Sequence, residues 1–365
     1  MRLKSELGYP TIASTSRASN VVTMVIDDYS STGAPLAHGG DLSAARRMFP
    51  DAPEPFIDLS TGINPFSYPL PTIPTHDFTR LPDRTRIRNL AAIAARWYGA
   101  NSAEGVVSAP GTQILLPIVA ALIRPGRAAI LGPTYSEHLR AATLAGHCAD
   151  RVAAVSQLGG ADLAVVTNPN NPDGRVVSRT DLRLLARDLI AHGGLLVLDE
   201  AFADVAPPDV SFAAEVDNFD NVVVLRSFGK FFGLAGLRLG FALTSTTLAA
   251  RIDALLVPWA IGGPTIAVAE QSMTDAAWAS RTIVKLNEDS RALDKVLSDI
   301  GLAVVGGTSL FRLTESRDAQ ELFMRLGAAG ILVRRYEDAP SRLRWGIPGS
   351  DMAWRRLRSA LGSVG

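Results

Sequence analysis

From about residue 85 to residue 257, short apolar runs rich in β-branched residues alternate with stretches of helical spacing. Gly105–Ser108, Ala128–Leu131, Asp162–Thr167, Leu195–Asp199, Val222–Ser227 and Leu239–Leu243 read as strands, because each is short and almost continuously apolar, as strands covered on both faces are. Between them, Arg84–Tyr98, Thr112–Ile123, Ser136–Leu144 and Arg179–Ala191 predict helices. In the first of these, Ile87, Leu90, Ala94 and Trp97 fall on one face. The alternation predicts an α/β architecture with a mostly parallel central sheet in a large domain. Beyond Pro264 a long helical pattern runs to about Ile300. Strand-like runs follow at Leu302–Val305, Leu310–Leu313, Ile331–Val333 and Leu343–Ile347, with helices near Ala319–Leu326 and Asp351–Leu361. This end predicts a smaller α+β C-terminal domain. The expected division is an N-terminal arm over 1–57, a large domain over 58–262, and an interdomain helix with the small domain over 263–365.

Bulk composition narrows the function classes. The 365 residues are 47% hydrophobic and 20% charged, normal for a soluble globular enzyme. Lys+Arg and Asp+Glu both number 36, a balance that gives no reason to expect nucleic acid or a membrane surface as a partner. Cys148 is the lone cysteine, which excludes an intramolecular disulfide and a cysteine-based zinc site. No metal is expected, and a reducing cytoplasm fits. No apolar run approaches the ~20 residues that span a bilayer. The segment from Met1 to about Ala37 is rich in Ser and Thr and lacks an apolar core before a cleavage pattern, so it reads as a loose arm and not a signal peptide. Met24 reads as an alternative start.

Three expected strand ends carry unusual polar residues. Lys230 stands in Ser227-Phe228-Gly229-Lys230-Phe231-Phe232-Gly233, with Arg238 one short loop later. An amine held among three phenylalanines would have a lowered pKa and be ready to condense with an aldehyde, while Ser227 and Arg238 could hold a phosphate beside it. A phosphate plus an aldehyde suggests pyridoxal phosphate (PLP). Thr167-Asn168-Pro169-Asn170-Asn171-Pro172-Asp173-Gly174 and Leu198-Asp199-Glu200-Ala201-Phe202 supply an amide and a carboxylate at two further ends. Asp199 would keep a pyridine nitrogen protonated, and Asn171 would hydrogen-bond the ring hydroxyl. Each residue alone has a plainer reading: a solvated loop lysine, a helix-capping Asp199, an ordinary turn at Asn171–Gly174. Their conjunction favours a site.

These motifs, in this order and separation, resemble fold-type I PLP enzymes of the class I/II aminotransferase superfamily, over most of the chain from about His38 onward. The resemblance implies that Arg238 and Ser227 contact the cofactor phosphate, with Gly111 and Thr112 adding backbone N–H groups at a helix start. It implies that Tyr135 stacks on the ring and that Arg344, in Leu343-Arg344-Trp345-Gly346, grips the substrate carboxylate. Phe202 stands where many relatives carry a tyrosine whose hydroxyl reaches the ring oxygen, and Leu81 where many carry a tyrosine reaching the partner subunit's phosphate site. His38-Gly39-Gly40-Asp41, Phe56–Pro65 with Asn64, and Gly306–Leu313 are similar to the threonine-phosphate decarboxylases of cobalamin biosynthesis. That branch implies decarboxylation of a small phosphorylated amino acid, O-phospho-L-threonine, to (R)-1-amino-2-propanol phosphate, with His38, Asn64, Arg334 and Arg344 as substrate contacts and a homodimeric assembly. A transaminase acting on a phosphorylated amine such as histidinol phosphate is the first alternative. A non-catalytic PLP-binding regulator is the second, although no DNA-binding module is readable in the chain.

Overall fold

The computed structural model describes residues 39–362. Twelve strands and twelve helices occur among them, in an order set by the alternating pattern. The chain opens with α1 (Leu42–Met48), β1 (Ile57–Leu59), α2 (His76–Thr79), α3 (Arg84–Tyr98), β2 (Val106–Ala109), α4 (Thr112–Ala120), β3 (Arg127–Leu131) and α5 (Glu137–Leu144). It continues through β4 (Cys148–Val152), β5 (Leu163–Thr167), α6 (Arg179–Ile190), β6 (Leu195–Asp199), β7 (Val222–Ser227), α7 (Phe228–Phe231), β8 (Gly240–Thr244) and α8 (Thr246–Leu255). The remainder comprises α9 (Gly263–Ser272), α10 (Ala276–Asp299), β9 (Ala303–Thr308), β10 (Phe311–Glu315), α11 (Ala319–Ala328), β11 (Ile331–Arg335), β12 (Arg342–Gly346) and α12 (Asp351–Gly362).

Seven strands form the larger sheet in the order β2-β8-β7-β6-β5-β3-β4. Pairings from β7 through β4 are parallel, and β8 runs antiparallel to both of its neighbours. The continuously apolar strands are explained by two cores. Leu196, Leu198, Val222 and Val224 face one side, with Leu90 and Ala94 of α3 and Leu182, Leu185 and Leu189 of α6. Leu195, Val197, Val223 and Leu225 face the other, with Leu115 and Val119 of α4 and Leu248 and Ile252 of α8. Successive residues of one strand therefore enter opposite cores. This is the α/β fold expected from the sequence.

The second sheet has the order β1-β11-β12-β10-β9, antiparallel except for the parallel pair β1 and β11. It is built from both ends of the described chain. Differences from the sequence reading have local causes. β4 is an edge strand, mostly exposed and polar, so it lacks the apolar signature. The pattern after Pro264 breaks at Met273–Asp275, where the Asp275 carboxylate accepts from Trp278 N–H and starts α10. Strand β9 runs on through Gly306 and Gly307, because these lie against Asp173 and Gly174 of the loop after β5: Gly307 N–H donates to Asp173 O at 2.9 Å. A Cβ on Gly174, whose φ is +72°, would collide with Gly307 O. Only glycines permit that backbone contact between the two sheets.

Candidate active site

Strands β5, β6 and β7 are parallel and end at one rim. Thr167 pairs with Asp199, Asp199 with Leu225, and Ser227 closes β7 two residues on. Because β8 runs back, its first residue, Gly240, lies beside both Ser227 and Ala109, the last residue of β2. That register gathers the Asn171 loop, Asp199, Ser227, the Lys230 turn, Arg238 and Gly111–Thr112 at the carboxyl ends of the strands, where open α/β sheets bind ligands.

Lys230 lies in the single turn α7, whose Phe228 and Phe231 are buried. Phe228 stacks on Phe232 with centroids 4.5 Å apart, so the turn is anchored from below. Asn64, expected as a substrate contact, instead clamps this turn. Its N–H donates to Lys230 O at 2.9 Å, its Nδ2 donates to Phe231 O at 2.7 Å, and its Oδ1 accepts from Phe66 N–H at 2.8 Å. With both ends of its amide held by backbone, and 1% of its surface exposed, Asn64 positions the lysine. Lys230 Nζ sits 5.6 Å from the centroid of Phe202. Burial lowers its pKa from 10.5 to about 8; Arg344 and Arg238 push the same way, and Asp199 opposes them.

Asp199 is buried, and its Oδ2 lies 2.9 Å from His138 Nε2 while Oδ1 accepts from Ala201 N–H at 3.1 Å. His138 escaped the sequence reading, because its helical spacing carries no sign of a partner 61 residues away. Tyr135, three residues earlier, stands edge-on to His138 with centroids 5.9 Å apart and donates to Gln113 Oε1 at 3.2 Å. Burial, reinforced by Glu137 and Asp199, pushes its phenol up to about 12, so the hydroxyl stays protonated.

Helix α4 begins at Thr112 without a capping side chain. The backbone donation expected from Gly111 is not available, since Gly111 N–H turns back to Ala109 O at 2.7 Å. Gly111 serves by lacking a side chain. At its φ of +85°, a Cβ would stand 2.9 Å from Arg238 Nη2. Arg238 itself adopts the left-handed region at φ 51°, a strained setting that aims its guanidinium at the start of α4. Arg238 and the uncapped start of α4, with Ser227 beside Gly240 at the end of β7, thus stand where they could hold an anion.

The second sheet supplies the opposite wall. Arg344 on β12 donates from Nη1 to Asn171 Oδ1 at 2.5 Å and from Nη2 to Ser60 O at 2.7 Å, and is 7% exposed. Because Asn171 Oδ1 is taken by a guanidinium, its Nδ2 is left as the donor for an acceptor in the site. Arg334 on β11 is the register partner of Arg344. Its guanidinium carbon lies 5.5 Å from the ring centroid of Tyr336, a second residue the sequence reading passed over. Burial, with the neighbouring Arg344, lowers the pKa of Arg334, while Tyr336 opposes. Phe202 packs edge-on against Phe311, with centroids 5.0 Å apart, which fills the space near Gly62. Leu81 is 68% exposed. His38 lies outside the described residues.

Beneath the rim, a buried charge cluster ties β6 to β7. Arg226 contacts Glu200 Oε2 and Asp204 Oδ2, both at 3.0 Å, and covers the Tyr98 ring at 4.4 Å. Glu200 also accepts from Phe212 N–H at 2.6 Å, and Trp97 donates to Asp204 Oδ1 at 3.0 Å.

These residues fit the cofactor that the sequence suggested. An amine of lowered pKa, a carboxylate held by an imidazole, an oriented amide donor and a place for an anion beside the side-chain-free Gly111 face one site. Comparison with known proteins agrees. The family model for aminotransferases of class I and II matches residues 56–361. The threonine-phosphate decarboxylase of Sinorhizobium sp is 40% identical over 332 residues, covering 90% of this chain and 98% of that protein. Its counterpart from Pseudomonas aeruginosa is 39% identical over 330 residues, covering 89% and 97%. Among solved structures, histidinol-phosphate aminotransferase from Sinorhizobium meliloti, in complex with pyridoxal-5'-phosphate, superposes with a TM-score of 0.78 at 20% identity, covering 96% of this chain and 100% of that one.

Proposed function

Since the chain belongs to the aminotransferase class I and II family and is a PLP-dependent enzyme, we propose that it decarboxylates O-phospho-L-threonine to (R)-1-amino-2-propanol phosphate in cobalamin biosynthesis. The observation that carries this reading is the near full-length likeness to two threonine-phosphate decarboxylases. The geometry supports it through Arg334 and Arg344, abreast on β11 and β12. Phosphothreonine offers a carboxylate and a phosphate to two adjacent guanidinium groups.

When bound, pyridoxal phosphate supplies an electron sink for a bond broken at the substrate Cα. Lys230 would hold its aldehyde carbon, and Ser227, Arg238 and the start of α4 would hold its phosphate. Asp199, kept in place by His138, would pair with the ring nitrogen, and Asn171 Nδ2 would donate to the ring oxygen. Tyr135 would lie against the ring. Arg344 fixes the substrate carboxylate, and so decides which bond at Cα is presented for cleavage. Arg334 takes the phosphate. Lys230 Nζ, whose pKa burial lowers to about 8, would take the proton that the substrate ammonium gives up on binding and deliver it to Cα after carbon dioxide leaves.

No helix among the described residues is long and apolar enough to cross a membrane. We infer a cytoplasmic homodimer, as the family resemblance implies; Phe78, Leu81, Val257 and Trp259, each more than half exposed, give such a contact apolar surface to cover. Sedimentation of the purified protein checks this. The reaction is tested by incubating the holoenzyme with phosphothreonine and following carbon dioxide beside glutamate formed from 2-oxoglutarate. Carbon dioxide without glutamate is expected. Glutamate without carbon dioxide would overturn the reading in favour of a transaminase.

A further inference from the structure

We infer that the Tyr336 hydroxyl is a third anion contact of the substrate site, donating a hydrogen bond to the substrate phosphate beside Arg334. The substrate's identity rests on the decarboxylase reading above; the contact itself rests on the structure. Tyr336 follows directly on β11, two residues after Arg334, so the strand's alternation sends both side chains to the same side. Arg334 lies over the Tyr336 ring at 5.5 Å, and Arg334 stands in register with Arg344. The phenol oxygen is buried and has no hydrogen-bond partner among the described residues.

Such an unpartnered buried hydroxyl is uncommon and calls for an explanation. Guanidinium groups are donors only, so neither arginine can accept the phenolic proton. A phosphate oxygen held by Arg334 can. Burial, with Asp338 and Asp173 nearby, raises the Tyr336 pKa, and Arg344 and Arg334 oppose that shift without reversing it. The group is therefore a protonated donor at neutral pH. Its loop is pinned from outside, where Arg151 Nη1 donates to Asp338 Oδ2 at 3.0 Å, joining the loop after β11 to strand β4 of the larger sheet.

The test is Tyr336→Phe in the holoenzyme, with O-phosphoethanolamine and L-threonine as spectroscopically titrated ligands. We expect KM for phosphothreonine and the Kd for O-phosphoethanolamine to rise about 10-fold, the range for a hydrogen bond to a charged group. The expected kcat stays within about threefold, and the Kd for L-threonine is unchanged. The melting temperature should hold or rise, since the deleted hydroxyl has no partner in the folded protein. An unchanged Kd for O-phosphoethanolamine, an equal loss of affinity for threonine, or a fall in melting temperature would each overturn the proposal. If phosphothreonine is not turned over by the unmodified enzyme, the decarboxylase reading fails, and the phosphoethanolamine titration still decides the role of Tyr336.

Discussion

Lys230 combines an apolar setting with two cationic neighbours, and its proton is correspondingly loosely held. The unfolded chain binds that proton more tightly than the folded one. Between about pH 8 and 10.5 the unfolded state therefore carries the extra proton, and stability rises with pH across that window. Chemical denaturation of the cofactor-free protein should show this rise, and the Lys230→Met variant should lose it. After borohydride reduction the same variant should carry no cofactor mass on the peptide around position 230, where the unmodified protein does. Arg344 has a different constraint. It reaches Asn171 Oδ1 and Ser60 O at once, a fork that a lysine ammonium cannot reproduce. Arg344→Lys is expected to lower kcat/KM about 10- to 100-fold, or ~1.4–2.7 kcal/mol, and to lower the melting temperature, because a buried acceptor loses its partner.

The loop after β5 shows how an element, more than any one side chain, sets the site. Asp173 and Gly174 touch the backbone of Gly306 and Gly307 on β9, so the loop that carries Asn171 is shaped by the second sheet. Gly174→Ala combines a left-handed backbone with a collision against Gly307 O. It should destabilise the protein by about 2–4 kcal/mol and weaken cofactor retention, both measurable by thermal melting with and without added cofactor. This level also shows what the sequence could reveal. The strands β5, β6 and β7 were legible because burial on both faces makes them continuously apolar, and their polar ends Asn171, Asp199 and Ser227 stood out against that background. Edge strand β4 was not, since exposure removes the apolar signal. His138 and Tyr336 were missed for another reason: their partners are distant in sequence and chosen by the fold. Asn64 was read as a ligand contact because a polar residue in a motif looks the same whether it faces substrate or backbone. Only the three hydrogen bonds to the Lys230 turn and Phe66 distinguish the two.

At the scale of the whole molecule, the larger sheet is tied beneath its rim by a buried cluster of one cation and two carboxylates, Arg226 with Glu200 and Asp204. Burial raises the Glu200 pKa, and Arg226 pulls it back down. Replacing Arg226 by Met leaves two carboxylates buried without their counter-ion. A loss of about 3–5 kcal/mol is expected, read as a lower denaturation midpoint, with recovery as the pH falls and the carboxyl groups protonate. The ties of Arg344 reach further than stability. Its guanidinium orients the amide of Asn171 and grips the backbone of Ser60, so any change there disturbs the cofactor side as well as the substrate side. The Tyr336 hydroxyl, beyond the end of the neighbouring strand, has no hydrogen-bond partner among the described residues. A substitution at Tyr336 therefore alters the hold on the substrate's phosphate alone, while one at Arg344 on β12 alters the cofactor side along with it.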